Sequence, residues 1–147
     1  MSIKAKYFFI AVIIMGSIGI WLPIILEAII EKKVTFHNVP PNVTTYFVSL
    51  LFAGCIDLIL GKINKLNING LVNVILNILF ILLLGLGIVV GAILLNIYKY
   101  DFWALLLGIV GLLISYRIWW IANDGNPNFS NTAAPLGGDV NRPLANG

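Results

Sequence analysis

The hydrophobic pattern of this chain is a succession of long apolar runs separated by short polar breaks. The third run, Leu71 to Ile97, has 27 consecutive residues without a charge. At about 1.5 Å per residue a helix of that length spans roughly 40 Å, more than the roughly 30 Å hydrocarbon core of a bilayer. Three further runs follow the same logic: about Tyr7 to Ile30, Val43 to Gly61, and Phe102 to Ala122. The pattern predicts an all-α membrane protein with four transmembrane helices in a domain over residues 1–122.

The breaks fit that reading. Pro23 lacks an N–H and is expected to kink the first span. The segment Glu31 to Asn42, with Pro40-Pro41, is predicted to be an exposed loop, with Val34-Thr35-Phe36 as a short extended piece. Lys62 to Gly70 forms a short polar connection, and Tyr98 to Asp101 is long enough only for a tight hairpin. Lys4 and Lys6 before an apolar run imitate a signal peptide. The run is longer than an h-region and no small-x-small site follows, so it is read as a retained span. Trp103, Trp119 and Trp120 take the interfacial positions that aromatic residues favour.

Composition agrees. The chain is 60% hydrophobic and 10% charged, against about 25% charged in soluble domains. The net charge of +3 is spread over loops, so no direct nucleic-acid binding is expected. An N-in topology places Lys4, Lys6, Lys62, Lys65, Arg117 and Arg142 on the cytoplasmic side, and Lys32, Lys33 and Lys99 on the other. Both termini are therefore expected to be cytoplasmic, in a membrane of the bacterial inner (plasma) type. A single cysteine, Cys55, excludes an intramolecular disulfide, and its apolar neighbours point to a buried inert thiol.

After Ala122 the character changes. Residues Asn123 to Gly147 hold six asparagines, four glycines and three prolines, with Phe129 as the one large aromatic. Such a segment cannot bury enough apolar surface to fold alone. It reads as a disordered end or as an extended cytoplasmic tail that docks a soluble partner. On the second reading Gly137-Gly138-Asp139 form a turn and Arg142-Pro143-Leu144 an anchored extended piece.

Polar residues inside spans are costly and need reasons. Asp57, near the inner end of the second span, and Arg117, near that of the fourth, are expected at one depth. Asn73 and Asn77, four apart and hence on one helix face, enter the same layer. Three readings stay open: a structural Asp57–Arg117 pair, an ion or proton path, and snorkelling of Arg117 without a partner. Glu27 is expected at the outer interface, where it could alternatively coordinate a cation or substrate. His37 stands alone in the outer loop, with no second ligand at metal-binding spacing. The motifs Asn42-Val43-Thr44 and Asn128-Phe129-Ser130 fit the glycosylation pattern, but one abuts the membrane and the other is expected inside, so no glycan is assigned.

Glycines mark close-packing faces. Gly87 and Gly91 form a small-xxx-small pair; Gly16 with Gly19, and Gly108 with Gly111, offer smooth patches within one bundle or between subunits. A four-span chain buries few residues internally, so a homo-oligomer is expected. No catalytic constellation, phosphate-cradling loop or ligand cluster is recognisable, so neither enzyme activity nor a cofactor or metal is expected. Three functions compete: a membrane subunit that oligomerises and docks a soluble partner, a small ion- or proton-coupled transporter or channel using Asp57 and Glu27, and a membrane-perturbing effector of the holin type. The layout of small multidrug-resistance transporters is comparable, but their essential glutamate is central in the first span whereas Glu27 lies near its end.

Four spans with both ends inside, no enzyme motif and a polar Gly/Pro/Asn tail resemble the small membrane subunit of the Kiwa anti-phage system. Leu136-Gly137-Gly138-Asp139 comes nearest to a signature. The resemblance implies a membrane-embedded oligomer that detects phage infection and recruits a cytoplasmic DNA-binding effector through its tail.

Overall fold

The computed structural model describes residues 2–62, 67–126 and 129, and all regular structure among them is helical. Four stretches are long and apolar enough to cross a bilayer: Ile3–Ile30, Phe36–Lys62, Ile68–Ile97 and Asp101–Ala122. The first is composite. Helix α1 (Ile3–Tyr7), capped by the Ser2 hydroxyl, runs into a π-helical segment, Phe8–Met15, before α2 (Ile18–Ile30). A 3-10 turn, Phe36–Asn38, leads into α3 (Val39–Lys62); α4 (Ile68–Ile97) and α5 (Asp101–Ala122) follow.

Helix α2 includes Pro23, and the first span has an interruption that the sequence did not announce, at Gly16-Ser17. Its cause is a change of hydrogen-bond register: the Gly16 amide donates to the Ala11 carbonyl, five residues back, and the Ser17 amide to that of Ile13, four back. Pro40 and Pro41, expected in the loop, belong to the first turn of α3. Helical N–H groups there have no intrahelical acceptor, so proline loses nothing. Of Val34-Thr35-Phe36, Thr35 has extended backbone and Phe36 begins the 3-10 turn. The third span begins earlier than its apolar run because the Asn67 side chain caps α4 by accepting from the Gly70 amide at 2.9 Å.

The core lies along the seam of α3 and α5, which run parallel in direct contact, with α4 packed antiparallel against both. Their contact steps regularly down both helices. Gly108 faces Val43 and Thr44, Gly111 faces Phe47, Gly54 faces Ile118 and Trp119, and Gly61 faces Ala122. Phe47 is fully buried; a Cβ at Gly111 would stand 3.0 Å from its ring. Ser115, also fully buried, donates to the carbonyls of Gly111 (3.0 Å) and Phe47 (3.2 Å). Helix α4 closes on this pair where Gly85 receives Leu51 and Gly91 receives Leu107. Cys55 is buried in the same core.

The first span is held differently. Only 6% of its most apolar stretch is buried, against 39% for the span containing α3. Its N-terminal end is anchored by aromatic contacts: Phe8 meets Tyr116, Trp119 and Trp120 with ring centroids 5.1–5.5 Å apart. Lys4 donates to the Trp120 carbonyl at 2.8 Å, lies 4.4 Å from a Trp120 ring centroid and pairs with Asp124 at 3.4 Å. The start of the first span and the end of α5 therefore meet at the same end of the bundle.

Candidate functional site

The most distinctive geometry lies between the first span and α3. When the register shifts from five-back to four-back at Gly16-Ser17, the Val12 carbonyl is passed over. An unsatisfied carbonyl inside a bilayer is expensive, and the Tyr46 hydroxyl donates to it from α3. Gly16 makes room: a Cβ there would stand 2.7 Å from the Tyr46 hydroxyl oxygen. The Ser17 hydroxyl donates to the Ile14 carbonyl at 3.1 Å. Tyr46 thus ties α3 to the one irregular turn of the first span, and π-helical segments of this kind often mark functional sites.

Around that tie the seam stays open. A cavity of about 480 Å³ is lined by Ala11, Gly16 and Gly19 on the first span and by Thr45, Ser49 and Ala53 on α3, among others. A second, of about 630 Å³, is lined by Pro23, Glu27 and Glu31 among others, and Asn42 lines both. Thr45 and Ser49 spend their hydroxyl protons on the carbonyls four residues back, Pro41 and Thr45, each at 2.9 Å. Their oxygens keep acceptor capacity.

Two polar clasps close the end of the bundle opposite Lys4 and Asp124. Glu27 Oε1 accepts from the Thr35 amide (3.1 Å) and from Asn38 Nδ2 (3.3 Å), stapling α2 to the entry of α3. His37 Nδ1 lies 2.7 Å from Asp101 Oδ1; a carboxylate only accepts, so this nitrogen carries the proton. Asn96 Nδ2 donates to that Asp101 oxygen and to the His37 carbonyl, both at 3.0 Å. His37 is therefore not solitary, as its place in the sequence suggested. It joins the 3-10 turn before α3 to the α4–α5 turn.

The expected inner polar layer is not assembled. Asp57 accepts from Asn123 Nδ2 at 3.4 Å, while Arg117 is exposed and makes no ion pair or hydrogen bond with the described residues. The reason is azimuth. Asp57 shares the α3 face of Gly54 and Gly61, which meets Ile118, Trp119 and Ala122. One residue turns a helix by about 100°, so Arg117 points away beside Ile118. Asn73 and Asn77 lie exposed on α4 and join neither. Of the packing glycines, Gly91, Gly108 and Gly111 meet side chains of their own bundle, whereas Gly87 faces open space. The docking positions Gly137, Gly138, Asp139, Arg142, Pro143 and Leu144 lie outside the described residues.

Gly16 was legible as part of a packing patch, whereas the roles of Tyr46, Asn96 and Asp101 were not read from the sequence. A signal existed for Tyr46: Asn42, Thr45, Tyr46 and Ser49 recur at three- and four-residue spacing and so share one face of α3. Comparison of the chain with protein families, curated proteins and solved structures returned no match.

Proposed function

We propose that the chain is a non-enzymatic integral membrane subunit that assembles with copies of itself and presents its C-terminal segment to a soluble cytoplasmic partner. The observation that carries this reading is the unequal packing of the spans. The first span and α4 leave most of their apolar surface outside the bundle, at 6% and 17% buried. Such surface is available to lipid and to neighbouring subunits, and Gly87 permits close approach there. The excess of positive charge at the ends and in the α3–α4 connection supports cytoplasmic termini. The meeting of Lys4 with Asp124 at one end of the bundle agrees with both lying on the same side. The layout shared with the Kiwa membrane subunit favours a role in bacterial anti-phage defence, with the soluble partner as effector.

Deleting residues 137–147 tests the docking half. The expected outcome is loss of the co-purifying soluble protein, competition for it by a peptide of those residues, and an unchanged cross-linked oligomer. Full retention of the partner overturns docking; a chain that stays monomeric in nanodiscs overturns assembly.

A further inference from the structure

The open seam carries an inference independent of assembly and docking. Its two cavities, about 480 and 630 Å³, share Asn42 and form one groove from the outer loop toward the middle of the bundle. The inner part is a trough lined mostly by small residues, with Val12, Tyr46 and Leu50 also on its wall. Small residues facing one another normally let two membrane helices close. Here they face across a gap, and a Cβ at Gly19 would meet nothing within 4 Å. From Asn42 to Ala53 the trough follows α3 for about 16 Å, the reach of an extended alkyl chain. The outer part is different in kind: its charged lining residues are the carboxylates Glu27 and Glu31, one helical turn apart on α2. Lys32 and Lys33 follow in the exposed loop and do not line it. Glu27 uses one oxygen to clasp Thr35 and Asn38, and a carboxylate retains further acceptor sites. Asn42, at the junction, makes no hydrogen bond through its side chain among the described residues and offers a donor and an acceptor.

We propose that this groove binds a single-chain cationic amphiphile, with its ammonium head at Glu27 and Glu31 and its alkyl chain in the trough beside Gly16, Gly19 and Ala53. The sign of the head follows from the lining: an anionic head would add a third negative charge at the edge of the hydrocarbon layer, where like charges are poorly screened. The apolar tail follows from the trough, where Ala11, Gly16, Gly19 and Ala53 leave space beside the apolar side chains of Val12 and Leu50.

The test uses the full chain in zwitterionic nanodiscs and radiolabelled dodecyltrimethylammonium, with empty nanodiscs subtracted. The expected result is saturable binding of one molecule per chain, displaced poorly by dodecyl sulfate and dodecyl maltoside, which share the tail. Gly19→Leu, which fills the trough, should abolish it; Glu31→Gln alone should weaken it, and Glu27→Gln with Glu31→Gln by about tenfold or more. Circular dichroism confirms that each variant keeps its helices. If Glu27→Gln loosens the outer clasp, Gly19→Leu and Glu31→Gln still decide. Non-saturable uptake equal to empty nanodiscs overturns the proposal. So does equal displacement by all three head groups, which would mark a site for phospholipid chains, or binding that survives Gly19→Leu.

Discussion

The seam between α3 and α5 and the seam between the first span and α3 are both lined by small residues, yet one is closed and the other open. On the closed side every gap has an occupant. Phe47 presses on Gly111, Val43 and Thr44 on Gly108, and Ile118 and Trp119 on Gly54. On the open side Ala11, Gly16 and Gly19 face Thr45, Ser49 and Ala53 beside Val12 and Leu50, and the Tyr46 ring crosses to a stranded carbonyl. Small residues therefore permit close approach without enforcing it. Closure needs a complementary side chain opposite each gap, because dispersion contacts are lost steeply across even a small void.

The most damaging way to break this contrast is to empty the closed seam. Phe47→Ala removes the fully buried ring beside Gly111 and should cost about 3–5 kcal/mol, read as an earlier unfolding midpoint in mixed micelles. A loss below about 1 kcal/mol would mean that α3 and α5 are held by something other than this knob. Removing the tie of the open seam should cost less. Tyr46→Phe leaves the Val12 carbonyl without its donor, worth about 1–3 kcal/mol. The effect should be local: faster amide exchange around residues 12–17, with α3–α5 protection unchanged. Uniform acceleration would show that the first span is integral to the core. The smallest effect is expected at Gly87, where an added methyl meets open space. Gly87→Ala should leave the isolated chain unchanged or stabilise it by up to about 1 kcal/mol through helix propensity. A drop in cross-linked oligomer would identify Gly87 as a subunit contact, and no change in oligomer would remove it from the interface.

How much was legible depended on whether a feature is local. The hairpin at Tyr98–Asp101 follows from short-range chemistry and sits where the break in the apolar pattern predicts. The break in the first span did not follow from Pro23, because a register change at Gly16-Ser17 was stabilised from another helix by Tyr46. A partner so distant in sequence leaves no local mark. Asp57 and Arg117 illustrate the same limit: equal depth can be counted along each helix, but a pair also requires matching azimuth, and Asp57 meets Asn123 instead.

By itself the sequence determined four apolar helices and the short connections between them, because the length of an apolar run is a local quantity set against a bilayer of fixed thickness. It also determined that small residues recur on several helix faces. Only the tertiary structure decided which of those faces close. It placed Gly91, Gly108 and Gly111 against side chains of their own bundle, left Gly87 uncovered, and opened a groove beside Gly19. The physical reason is rotational. A helical period fixes which residues share a face, while the direction of that face depends on how every other helix packs against it.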